Sequence, residues 1–141
     1  MRPPEEIKRE IVRQWLAKAE QDITSAEALL SQDPPLLYPS CFHAQQAAEK
    51  YLKALPTWHQ IEFPKTHAIE QLLDLVKDAE SETASSVRGA VALTPYGVDI
   101  RYPGDQPEPN RQEAREAVEL ARKVRDAILP RLEDEPGSST T

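Results

Sequence analysis

Residues 41–55 read Cys41-Phe42-His43-Ala44-Gln45-Gln46-Ala47-Ala48-Glu49-Lys50-Tyr51-Leu52-Lys53-Ala54-Leu55, and the spacing of their apolar members sets the fold class. At about 100° per residue, Cys41, Ala44, Ala48, Tyr51, Leu52 and Leu55 fall on one arc of a helix. The spacing predicts that helix over about 39–55, with an extension to Trp58. His43, Gln46, Lys50 and Lys53 share a narrow stripe on roughly the opposite side.

The same three-and-four spacing continues on both sides of this run. Upstream, Ile7, Ile11, Trp15, Ala19, Ile23, Ala26 and Leu30 predict a helix over about 5–31. Asp33-Pro34-Pro35 stops it, because proline lacks the amide donor and restricts the residue before it. Downstream, Phe63-Pro64-Lys65-Thr66 is a connector in which Thr66 is the expected cap of a third helix carrying Ile69, Leu72, Leu73 and Val76. A weaker fourth helix is expected from about Glu82 through Val87 and Val91 until Pro95-Tyr96-Gly97. Arg101-Tyr102-Pro103-Gly104-Asp105, with Pro107 and Pro109, reads as a stiff loop. Asn110 and Glu113 have capping-box spacing and open a last helix with Ala114, Ala117, Ala121, Val124, Ile128 and Leu132 on its stripe. The expectation is an all-α, up-and-down bundle of about five helices. It occupies residues 5–132, between a flexible 1–4 and a disordered acidic, Ser/Thr-bearing tail at 133–141.

Composition limits the function classes. The 141 residues carry 24 Asp and Glu against 17 Lys and Arg, a net charge of −7. No apolar run approaches the roughly 18 residues of a membrane span, and Met1-Arg2-Pro3-Pro4-Glu5-Glu6 is too charged to lead a signal peptide. Cys41 is the lone cysteine, which excludes an intrachain disulfide and a Cys-based zinc site and fits a reducing cytoplasm. Residues 62–83 hold six acids against two bases, and residues 110–132 six bases against four acids. Phosphate contacts along nucleic acid need a basic face. A net −7 therefore argues against indiscriminate nucleic-acid binding and leaves room for one small basic cleft.

The polar stripe of the second helix has two readings. It is a solvated face, as amphipathic helices normally show, or a recognition surface joining an imidazole, an amide and two ammonium groups for a phosphate or a partner. The run at 41–55 resembles the central helix of HEPN domains. Asp22 with Ala26, Phe63-Pro64-Lys65-Thr66-His67, and Arg101-Tyr102-Pro103-Gly104-Asp105 match the same family in order and spacing. The resemblance spans about residues 12–130. It implies a helical bundle, commonly dimeric. Many bacterial members are encoded beside a minimal nucleotidyltransferase and form a complex with it. Other members are ribonuclease toxins, whose site is an Arg followed four to six residues later by a His and doubled across a dimer. The family name also reflects a proposed nucleotide-binding role.

The ribonuclease motif is absent here. Histidines stand only at 43, 59 and 67, and no arginine lies between Arg13 and Arg88. Lys53 with His59 is a poor imitation, since lysine lacks the planar fork that grips two phosphate oxygens and Pro56 intervenes. No His/carboxylate group has metal-ligand spacing, no glycine-rich phosphate loop exists, and no cofactor is implied. His67 with Lys65 sits at a helix start, where it is a turn residue or an anion ligand. Arg101 and Tyr102 are loop residues, for which a salt bridge and ligand binding are equally open. Asp22 and Glu49 are expected to pair with bases, and Cys41 and Tyr96 to be core.

The candidate ligand or anion site is thus His43, Gln46, Lys50, Lys53, Lys65, His67, Arg101 and Tyr102, with no catalytic residue. Under this reading the chain is a non-catalytic interaction protein, a homodimer and the partner of a minimal nucleotidyltransferase in a toxin–antitoxin-like pair, with nucleotide or RNA-end binding. Phe42, apolar and outside the main arc, supports the homodimer. The alternative is a ribonuclease toxin with an atypical site built from His43, His67 and Arg101.

Overall fold

Helix α1 (Pro4–Leu30) and helix α2 (Leu37–Trp58) form the centre of the computed structural model, which describes residues 4–98, 102–104 and 107–132. The two run antiparallel. As α2 advances from Ser40 through Tyr51 to Trp58, its partners on α1 recede. Ser40 Oγ donates to the Ala26 carbonyl at 2.7 Å, Tyr51 Oη donates to Glu20 at 2.9 Å, and Lys8 Nζ stacks 4.3 Å from the Trp58 ring. Alanines 44, 47, 48 and 54 are fully buried, and their small side chains let the flanking helices pack close to the α2 backbone.

Beyond α2 come α3 (Ile69–Val76), a short α4 (Ser81–Ser86), a 3₁₀ segment (Arg88–Gly97), α5 (Arg111–Ile128) and a 3₁₀ turn (Leu129–Leu132). Among the described residues there is no strand. The return through α3, α4 and the 3₁₀ segment brings α5 alongside α2. Glu113 lies near Cys41 and Arg125 near Tyr51. Arg122 ties α5 to α1 through Glu27 at 2.6 Å. Every apolar residue expected on the arcs of α2, α3 and α5 is buried. The all-α bundle of about five helices stands.

The local signals hold in part. Asn110 Oδ1 accepts the Glu113 amide at 2.7 Å, and Glu113 Oε1 accepts the Asn110 amide at 2.9 Å, completing the capping box. Thr66 is not the cap of α3. Ala68 takes that position, and Thr66 Oγ1 accepts the Ala68 amide at 3.0 Å from two residues upstream. The expected fourth helix is two pieces, because the 3₁₀ segment from Arg88 replaces α-helical winding well before Pro95. On α1, Ile7 and Ile11 lie outside the buried stripe, at 37% and 41% exposure, and Val12 is buried instead. The tail at 133–141 lies outside the described residues. Among those described, no helix is long and apolar enough to cross a membrane.

At the end of α2, Gln60 adopts φ 59°. The Ile61 amide returns to the Pro56 carbonyl at 2.8 Å and the Gln60 amide to the Thr57 carbonyl at 3.1 Å. This is a Schellman stop in which a glutamine holds the left-handed position that glycine usually takes. It fixes the exit direction of the connector that carries His67 back to α2.

Candidate functional site

Among the described residues three carboxylates are buried, and each holds one of the chain's three histidines. Asp22, Glu49 and Glu80 are 9%, 2% and 7% exposed. A buried carboxylate is stable only when charge and hydrogen-bond partners surround it, and the sequence supplies both from distant elements.

Asp22 projects from α1 toward α2. Its Oδ1 lies 2.9 Å from His43 Nδ1, and its Oδ2 accepts from Lys50 Nζ. Glu49 lies on the side of α2 facing the connector. Its Oε1 is 2.9 Å from His67 Nδ1 and 3.1 Å from Gln45 Nε2, and its Oε2 accepts from Lys53 Nζ at 2.8 Å. Burial alone would raise the Glu49 carboxyl. The hydrogen bonds from Lys53, Gln45 and His67 outweigh it and hold the carboxyl below its ordinary value. An ionised carboxylate only accepts, so in the Glu49–His67 contact the ring nitrogen Nδ1 is the donor.

Gln45 is the hub of the second cluster. Fully buried, it donates to Glu49 and to the His67 carbonyl at 3.2 Å, and accepts from Gln46 at 2.7 Å. A methyl group added at Gly97 would meet the Gln45 amide at 3.1–3.2 Å, so glycine there lets the 3₁₀ segment close over it. Lys53 is buried as well, 8% exposed, with its ammonium 5.5 Å from the Trp15 ring.

These contacts settle the stripe on α2. His43, Gln46 and Lys50 are half-buried rather than freely solvated, and Lys53 belongs to the interior. The expected pairing of Asp22 and Glu49 with bases is present. The site residues gather into two clusters, Asp22–His43–Lys50 and Glu49–Lys53–His67–Gln45–Gln46. At about 100° per residue they lie side by side on the polar side of α2, where every residue from Ser40 to Trp58 is buried or half-buried. Lys65 and Tyr102 are exposed and stand outside both clusters. Arg101 lies outside the described residues. Cys41 is fully buried, and burial pushes its thiol up to about 11. Tyr96 is only half-buried and stacks edge-on against Tyr38, with ring centres 6.1 Å apart.

Two members escaped sequence reasoning. Gln45 was legible: it lies one helical turn from both Cys41 and Glu49, and polar groups so spaced on a buried arc must satisfy each other. The second is a clamp at the far end of α2, where Glu80 takes His59 Nε2 at 2.8 Å and Arg131 Nε at 2.8 Å. Nothing in the local pattern marks residues 59, 80 and 131 as neighbours. Among the described residues no group of three His, Cys, Asp or Glu side chains is placed to hold a metal ion.

The comparisons with known proteins follow the fold. The model of the HEPN domain family matches residues 12–132. Among solved structures, the chain is similar to ST0689, an archaeal HEPN homologue, with a TM-score of 0.69 and 23% identity over 86% of this chain and 98% of that one. It is similar also to TT1696 from Thermus thermophilus, with a TM-score of 0.68 and 30% identity over the same shares. No curated protein matches.

Proposed function

The chain belongs to the HEPN domain family, and from that premise we propose that it is a non-catalytic interaction protein. It forms a homodimer, partners a minimal nucleotidyltransferase in a toxin–antitoxin-like pair, and holds a phosphate-bearing ligand, a nucleotide or RNA end, at the polar side of α2. One observation carries the non-catalytic reading. Each histidine is engaged by a buried carboxylate, and no arginine precedes any histidine at the spacing the family's ribonucleases use. RNA cleavage requires a general acid–base set against a group that stabilises developing phosphate charge. Here Lys50 and Lys53 are matched by Asp22 and Glu49, so neither is a spare positive charge for that task. The binding reading rests on pre-organisation. His43, Lys50 and His67 are held in place by their carboxylates, which lowers the entropy cost of receiving a ligand.

The test is co-expression with a minimal nucleotidyltransferase encoded next to this chain, followed by size exclusion with light scattering. Co-elution at fixed stoichiometry, and a dimer when the chain is alone, are expected. Separate elution at micromolar concentration overturns the partnership, and a monomer overturns the dimer. Purified chain that degrades RNA, with the activity lost in His67→Ala, overturns the non-catalytic reading.

A further inference from the structure

Between Ile11, Gln14, Trp15 and Lys18 the surface of α1 forms a hollow. These are positions i, i+3, i+4 and i+7 of one helix, the four that make the hole for a single knob when two helices pack along their lengths. Its apolar wall is fixed from behind. Trp15 stacks on Phe63 of the connector with ring centres 6.4 Å apart, and the Lys53 ammonium lies 5.5 Å from its ring. Large apolar groups beside the hole face water, Ile7 at 37% and Ile11 at 41% exposure. At about 100° per residue, Ile7 and the four hole residues share one arc of about 100°. That arc lies to one side of the buried Val12, Ala19 and Ile23 that face the bundle.

The helix supplies its own complement. Ile7 stands one turn before the hole. When a second copy of α1 is laid antiparallel so that Ile11 faces Ile11, the Ile7 of each copy reaches the level of Trp15 on the other. In that register Lys18 lies over the partner's first turn, which carries Glu5 and Glu6. A parallel pairing sets lysine against lysine and acid against acid.

We propose that this face of α1 is the contact between two copies of the chain: the two α1 helices pair antiparallel about a two-fold axis at Ile11, and the Ile7 of each seats in the Ile11–Gln14–Trp15–Lys18 hole of the other. This rests on the homodimer reading above and gives it a surface. A two-fold contact uses the same patch on both copies, so each apolar and charged pairing is made twice. The occupant is a second copy rather than an unrelated helix, because knob, hole, base and acids all come from residues 4–18.

The experiment is sedimentation equilibrium of the full chain, with circular dichroism to confirm that each variant is helical. Wild type is expected to be a dimer. Ile11→Glu, at the centre of the contact, raises the dissociation constant about thirtyfold or more. Lys18→Glu raises it about tenfold at low salt and much less at about 1 M salt, where charge is screened. Ile11→Cys, beside the two-fold axis, forms a disulfide-linked dimer under mild oxidation. Arg13→Cys, exposed and about 160° around α1 from Ile11, does not. Cys41 is fully buried and adds no background.

A monomeric wild type overturns the homodimer reading and this surface with it. If Ile11→Glu then abolishes co-elution with the nucleotidyltransferase, the hole belongs to that protein. A dimer that persists in Ile11→Glu and Lys18→Glu overturns the α1 surface and leaves the homodimer on another face. Cross-linking through position 11 no faster than through position 13 overturns the α1 surface in the same way, whether or not Ile11→Glu folds.

Discussion

Replacing Glu49 with methionine tests whether the buried cluster on α2 is a coupled unit. Methionine nearly preserves volume, so little cavity forms. What disappears is the carboxylate that Lys53 meets at 2.8 Å, in a site where that lysine is 8% exposed. An uncompensated buried charge costs roughly 3–5 kcal/mol, and some relief comes from lysine stretching toward solvent. We expect a loss of about 3 kcal/mol. Unfolding entropy of about 2.1 cal/mol/K per residue gives roughly 0.3 kcal/mol/K for a chain of this length, so Tm falls by about 10 °C. Lys53→Met leaves Glu49 with Gln45 and His67 and costs roughly 2 kcal/mol. The double variant Glu49→Met/Lys53→Met removes both charges, and burying matched apolar groups in their place brings stability to within about 1 kcal/mol of wild type. Urea unfolding followed by helical circular dichroism gives the four free energies of the cycle. A double variant that loses the sum of the two single losses would refute the reasoning.

Four further outcomes follow from the same geometry. The folded Glu49 carboxyl lies below its ordinary 4.5, so its contribution is fully present above about pH 4.5 and is lost as pH falls through the folded value. Thermal melts across that window should show a shallower acid loss for Glu49→Met than for wild type. Gln60→Gly relieves a left-handed glutamine at the stop of α2 and should stabilise by about 1 kcal/mol, read as a rise in urea midpoint. Gly97→Ala presses a methyl group onto the buried, three-fold bonded Gln45 amide and should cost about 1–2 kcal/mol in the same assay. Cys41, fully buried with its thiol pushed up to about 11, should react with a disulfide reagent at about pH 8 only after denaturation.

Much of the architecture was legible along the chain. The three-and-four spacing marks α1, α2, α3 and α5, because a helix that buries one face must repeat apolar residues at its own period. Asn110 and Glu113 disclose the start of α5, since a capping box is closed within four consecutive residues. The absence of an Arg–His pair at ribonuclease spacing is likewise a property of the string. The partition of α4 from the 3₁₀ segment was less legible. Its backbone is set by closure of Gly97 over Gln45, a contact between elements 52 positions apart.

The candidate site divides in the same way. The sequence by itself places His43, Gln46, Lys50 and Lys53 on one stripe of one helix, because that follows from the rotation per residue. It does not say that Lys53 is interior, that Asp22 takes both His43 and Lys50, or that Glu49 draws in His67. Those pairings join residues 18 to 28 positions apart, and the Glu80 clamp joins Arg131 from 51 positions away. They depend on the angle at which α1 crosses α2 and on the direction in which the chain leaves α2 at Gln60. Only the tertiary structure decided these. Periodicity records which side of a helix avoids water, whereas a buried carboxylate is neutralised by whatever the packing of other helices brings within about 3 Å.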